Sequence, residues 1–251
     1  MSHIIAIHSF RGGTGKSNSA ANIAALLAAQ GKRVAVVDMD IQSPGIHVLF
    51  GLDETTLDKT LNGFLYDQYG IVAAAHDVTP NLGVALTGQI FLVPSSIKAE
   101  DISRVVRQGY NAEKLNDGLE DLIEELDLDA VLLDSHPGLG KETLLSLAAA
   151  DTLVIILRPD EQDFQGTHVT LQVMQRLQIP QIFLVVNKAP EDLDLNQVKR
   201  EVEKTYGVPV LAVFPHSDEM MTLASSGIFS LHYPDHPVAQ KYRQLALALL
   251  P

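Results

Sequence analysis

The segment Arg11-Gly12-Gly13-Thr14-Gly15-Lys16-Ser17 has the composition of a phosphate cradle. Glycines let successive backbone N–H groups turn inward around phosphate oxygens. A lysine placed after them can reach the β- and γ-phosphates of a nucleotide, and the neighbouring serine hydroxyl can coordinate Mg²⁺. The plainer alternative is a Gly-rich turn followed by a chance Lys-Ser pair. A second constellation is Asp38-Met39-Asp40. A carboxylate beside a γ-phosphate can orient a water, and phosphoryl transfer needs little more. Read alone, one of these aspartates caps a turn and the other is solvated. A third, Asp134-Ser135-His136-Pro137-Gly138, carries a histidine with no metal-site spacing around it, so His136 reads as a solvated or hydrogen-bonded loop residue. Asn187-Lys188 closes the set. An asparagine amide both donates and accepts, but asparagine is also a common strand-end turn residue.

These residues matter only if the chain places them on one edge, and the apolar pattern supplies such an edge. Ile4–His8, Val34–Val37, Ala130–Leu133, Leu153–Leu157, Ile182–Val186 and Val210–Phe214 are short, β-branched apolar runs suited to buried parallel strands. Each ends at a polar, Gly- or Pro-containing segment, and the chemistry-bearing residues lie at those ends. Between the runs, Ser17–Gln30, Ala112–Glu125, Lys141–Ala149, Thr167–Leu177 and Leu195–Tyr206 read as helices, with Gly31 as a helix stop. The alternation predicts an α/β fold: a doubly wound, mostly parallel sheet with helices on both faces. Within the less regular stretch 53–107, Leu82–Leu86 and Ile90–Val93 read as strands. No linker, repeat or low-complexity segment divides residues 1–251, which predicts a single domain.

The phosphate cradle falls between the first strand and the first helix, where the helix N-terminus adds its dipole to the anion site. The 251 residues suffice for a sizeable core. A formal net charge of −13 argues against broad binding to nucleic acid or anionic lipid, which needs a basic face. Arg104, Arg107, Lys199, Arg200 and Lys204, several of them with acidic neighbours, read as a charge-mixed solvated face. The absence of cysteine excludes thiolate metal ligands and a thiolate-held iron–sulfur cluster. No run is suited to span a bilayer and Met1–Ile7 lacks the layout of a secretory signal, so a cytoplasmic protein is expected.

The loop departs from the plain Gly-four-residues-Gly-Lys form, because position 10 is Phe. It resembles instead the deviant Lys-Gly-Gly-x-Gly-Lys-Ser/Thr loop of the MinD/ParA family of P-loop ATPases, and the resemblance runs over nearly the whole chain. It implies ATP and Mg²⁺ as cofactors and an ATP-dependent homodimer in which the first basic residue of the loop reaches the partner's ATP. Here that residue is Arg11, which keeps the charge and offers a bidentate fork but is not interchangeable with lysine. The resemblance gives the catalytic role to Asp40, Lys16 and Arg11, with Asp40 in the first switch beside the attacking water. It places Gly12, Gly13, Thr14, Gly15, Lys16, Ser17 and Asn18 around the phosphates. Ser17, Asp38 and Asp134 fall on the metal side, and Gly138 would donate its N–H to the γ-phosphate. Asn187, Lys188, Pro215 and His216 fall around the adenine. The segment Arg158–Gly166 lies near the dimer interface of family members, and no chemistry is assigned to Arg158.

The family's fold does not fix its cargo. The final stretch Val238–Leu250 has Val238, Tyr242, Leu245 and Leu249 at helical spacing and few basic residues, so it reads as a core helix rather than a membrane anchor. DNA or membrane contact thus lacks support from charge or from this helix. The expected function is an ATP-hydrolysing switch, slow without an activator, that positions or regulates an unknown protein partner. Two alternatives stay open: an ATP-dependent biosynthetic enzyme that activates a small carboxylate, resembling the dethiobiotin and cobyrinic-acid amide synthetases, and a nucleotide-binding adaptor that hardly hydrolyses.

Overall fold

The computed structural model describes residues 2–250. Eight strands form one sheet: β1 (His3–His8), β2 (Arg33–Met39), β3 (His76–Asp77), β4 (Gln89–Val93), β5 (Ala130–Ser135), β6 (Thr152–Leu157), β7 (Gln181–Ala189) and β8 (Val210–Pro215). Their spatial order is β3-β4-β2-β5-β1-β6-β7-β8. Every neighbouring pair is parallel except β3–β4. The central strands are apolar at nearly every position because both faces are covered by helices. Along β2, Val34 and Val36 enter one core while Ala35 and Val37 enter the other.

The first core lies beneath α1 (Lys16–Ala29) and the short α2 (Ile46–Leu49). The second lies beneath α3 (Leu61–Leu65), α4 (Ala99–Gln108), α5 (Ala112–Leu126), α6 (Lys141–Leu147), α7 (Glu161–Arg176) and α8 (Leu195–Tyr206). Near the C-terminus, α9 (Asp218–Leu223), α10 (Phe229–His232) and α11 (Pro237–Leu249) return to the first face. Helix α1 is buried around most of its circumference, which its alanines permit by letting α11 approach closely. Val238, Tyr242, Leu245 and Leu249 of α11 are all buried. Tyr242 stacks on Phe214 with ring centroids 4.2 Å apart and meets the Ser19 hydroxyl at 3.2 Å. The C-terminal helix is therefore a core element, as its spacing predicts. Among the described residues no helix is long and apolar enough to cross a membrane.

Two expectations need correction, and one helix had no expectation at all. Leu82–Leu86 is not a strand: a 3-10 turn over Thr79–Leu82, with Pro80 in its first turn, ends at Gly83 in a left-handed conformation. The edge strand beside β4 is instead the two-residue His76–Asp77. Helix α7 begins at Glu161, six residues before the apolar periodicity starts, because Asp160 caps it by accepting from the Asp163 N–H at 3.0 Å. Helix α4, with only Val105 buried, carries too little apolar signal to be read from the pattern.

Candidate nucleotide-binding site

The C-terminal ends of β1, β2, β5 and β7 converge on the first turn of α1. Gly15 caps that helix at φ +100°, a conformation that disfavours any side chain, and a Cβ there would lie 2.5 Å from Asn187 Nδ2. The site therefore needs glycine for both backbone and space. Around it opens a cleft of about 540 Å³, a size suited to a nucleotide. Gly12, Gly13, Gly15, Lys16, Ser17, Asn18, Asp40, Asn187, Lys188, Pro215 and His216 all line it.

Three predicted residues sit behind this lining. Thr14 is fully buried, and its carbonyl accepts from Asn187 Nδ2 at 2.8 Å. Asp38 and Asp134 are partners in the β2–β5 register and are both buried beneath the cradle. Burial, and then the charge of Asp134, hold the Asp38 carboxyl well above the usual carboxylate range. Asp134 is pushed up to about 6, by burial first, against the opposing pull of the Ser17 hydroxyl and Lys16. One oxygen of each carboxylate, Asp38 Oδ2 and Asp134 Oδ1, is buried with no hydrogen-bond partner. Unpartnered buried carboxylate oxygens beside a serine hydroxyl form a hard-oxygen donor set that fits Mg²⁺.

Arg11 lies outside the cleft. Its Nε donates to Asp163 Oδ1 at 2.5 Å, its Nη2 to both oxygens of Asp160 at 2.6 and 2.7 Å, and its Nη1 to Gln162. The guanidinium is thus held by the first turn of α7 in its own chain. Asp163 is buried and also accepts from the Arg158 backbone N–H at 2.8 Å and from Arg158 Nε at 3.3 Å. Phe10 packs over the same helix, where a Cβ on Gly166 would fall 2.0 Å from the Phe10 ring.

The far side of the cradle is tied to β7. Lys188, at φ +57°, donates from Nζ to the Gly13 carbonyl at 2.8 Å, and its N–H donates to Asn187 Oδ1 at 2.9 Å. The Asn187 amide therefore braces the cradle and retains one N–H for a ligand. The Gly138 N–H donates to the Ser9 carbonyl at 3.0 Å, so it is not directed at a γ-phosphate position in this state. Sequence reasoning gave no place in the cleft to Ser43, Met220 and Met221, and it read His136 only as a loop histidine, yet all four line it. Met220 and Met221 come from α9, too short to leave an apolar period. His136 is hydrogen-bonded, as its loop position suggests, but its partner is Asp40: Nδ1 meets Asp40 Oδ1 at 2.5 Å. His8, behind the cradle, bonds through Nδ1 to Ser135 Oγ at 2.8 Å and is pushed down to about 3 by burial, then by Lys16 and His136.

The parallel sheet, the Gly-rich loop leading into α1 and the carboxylates at the strand ends define a P-loop nucleotide-binding protein. A family model described as an AAA domain matches residues 2–184. The chain belongs to that family and, within it, to the MinD/ParA group of P-loop ATPases. It is 29% identical over 251 residues to an uncharacterised ATP-binding protein of Methanocaldococcus jannaschii, covering all of this chain and 88% of that one. It is 28% identical over 260 residues to an iron–sulfur cluster carrier protein of Pseudomonas fragi, covering 98% and 84%. Among solved structures, the septum site-determining protein MinD complexed with Mg-ADP from Pyrococcus horikoshii superposes with a TM-score of 0.81 at 20% identity, covering 99% of this chain and 96% of that one.

Proposed function

We propose that this protein binds and hydrolyses Mg·ATP and acts as a nucleotide-dependent switch on a protein partner. The observation that carries this reading is the convergence of Lys16, Ser17 and Asp40 on one cleft above two buried carboxylates with unpartnered oxygens. Ser17, Asp38 and Asp134 would hold the metal, which supplies charge neutralisation at the phosphates. Lys16 and the backbone N–H groups of Gly13–Ser17 bind and orient the phosphates, and Asp40 orients the water. The adenine would lie between Asn187, Pro215 and the methionines of α9.

Arg11 is the second part of the proposal. In the lone chain its charge is neutralised by Asp160 and Asp163. A protomer by itself therefore lacks this cation at its phosphates, which supports slow turnover until two ATP-bound copies face each other and Arg11 exchanges its own helix for the partner's nucleotide. The absence of cysteine separates this chain from any role needing a thiolate-held cluster.

Light scattering with and without Mg·ATP, beside phosphate release on the same samples, tests the reading. An ATP-induced dimer with phosphate release that Asp40→Ala cuts to a small residual rate is the expected result. A monomer under every condition, with ATP bound, overturns the cross-subunit role of Arg11. Turnover that appears only when a small carboxylate is added would replace the switch with a biosynthetic enzyme.

A further inference from the structure

We infer that His136 is a positioning residue for ATP hydrolysis: it holds the Asp40 carboxylate in place and links the two loops that sense the nucleotide. The inference rests on the hydrolytic reading above. Strands β2 and β5 pair with Asp38 opposite Asp134 and Met39 opposite Ser135. One residue further the strands end, and the ladder continues through side chains, with His136 Nδ1 2.5 Å from Asp40 Oδ1. A carboxylate only accepts, so Nδ1 carries the hydrogen and donates.

Asp40 needs such a partner. Its backbone N–H donates to Asp38 Oδ1 at 3.0 Å, which places it beside the buried carboxylates. Among the described residues, apart from His136, the Asp40 side chain accepts only from the Ser43 N–H, on the same oxygen, at a long 3.3 Å. Among the described residues Oδ2 has no protein partner, so one oxygen is fixed by His136 while the other is left to accept from a water in the cleft. His136 is itself anchored: two residues on, the Gly138 N–H is bound to Ser9 in the strand-to-cradle turn. Movement of the cradle edge thus reaches Asp40 through His136.

The test is single-turnover phosphate release, with nucleotide affinity from titration of a fluorescent ATP analogue, for wild type, His136→Ala, His136→Asn, Asp40→Ala and the double variant His136→Ala/Asp40→Ala. His136→Ala should slow release about 10- to 100-fold with affinity changed less than about threefold. His136→Asn should recover most of the rate, because its amide N–H stands the same number of bonds from Cα as Nδ1. In the Asp40→Ala background, His136→Ala should slow release no further. A wild-type rate in His136→Ala, a loss of affinity in step with the rate, or an additive effect on top of Asp40→Ala each overturns the assignment alone. Wild-type protein that binds the analogue but releases no phosphate overturns the hydrolytic reading, and this one with it.

Discussion

Replacing Asp134 by asparagine should make the nucleotide-free protein more stable while removing its response to Mg·ATP. The carboxyl is fully buried, one of its oxygens lacks a partner, and it shares its site with Asp38 and Asp40. A carboxyl pushed from its ordinary value near 4 up to about 6 destabilises the fold by about 3 kcal/mol once fully ionised. The sign follows from linkage. The folded chain holds this proton more tightly than the unfolded chain, so stability is complete below about pH 4 and is lost as pH rises through about 6. Asparagine carries no charge to desolvate, so the gap between variant and wild type should be about 3 kcal/mol at pH 8. It should fall to roughly half of that at pH 5. For a chain of this size, 3 kcal/mol corresponds to about 6–12 °C in Tm, and an imperfectly bonded asparagine amide will reduce it. Thermal melts in EDTA at pH 8 and pH 5 measure the gap. The same melts with Mg·ATP in place of EDTA should raise the wild-type Tm and leave Asp134→Asn unmoved. An asparagine variant that melts below wild type at pH 8, or a gap that does not shrink at pH 5, would mean that the buried Asp134 charge does not destabilise the fold.

Three other perturbations probe the cradle's supports. Arg11→Ala leaves Asp163 paired with Arg158 alone; monomeric nucleotide affinity should stay within a few-fold of wild type while the ATP-dependent dimer disappears in light scattering. Gly166→Ala drives a methyl into the Phe10 ring and should cost about 1–3 kcal/mol in urea unfolding, a cost that should largely vanish when the same substitution is made in Phe10→Ala and compared with that variant. Asn187→Ala removes the buried amide from the Thr14 carbonyl, a loss of about 1–2 kcal/mol that should appear as roughly a tenfold weaker nucleotide affinity by calorimetry.

Sequence reasoning reached the sheet because its strands are buried on both faces and leave unbroken apolar runs. It reached the cradle and the strand-end carboxylates because each lies at a boundary between such a run and a helix. It missed α4, and it missed the first turn of α7, whose Glu161, Gln162 and Asp163 carry no apolar period. It mistook the apolar run Leu82–Leu86 for a strand, though Pro80 and Gly83 enforce a turn. The contacts it could not give are those made across the fold: Arg11 meets Asp163 at a separation of 152 residues, and Asp40 meets His136 at 96. No local pattern distinguishes Asp163, which braces the cradle edge, from the solvated aspartates around it.

The register of the sheet also determines where this chain can change length. Asp38, Asp134 and their neighbours are aimed by backbone bonds along β2, β5 and β1, so an inserted residue inside those strands turns every later side chain to the opposite face. An insertion at the other ends of the same strands, such as the turn at Gln30–Lys32 or the Asp127–Asp129 connection, lengthens a loop on the edge remote from the cleft. Growth of the chain is confined by geometry to that remote edge and to the irregular stretch between α2 and β4, leaving the reactive rim fixed while its surroundings drift.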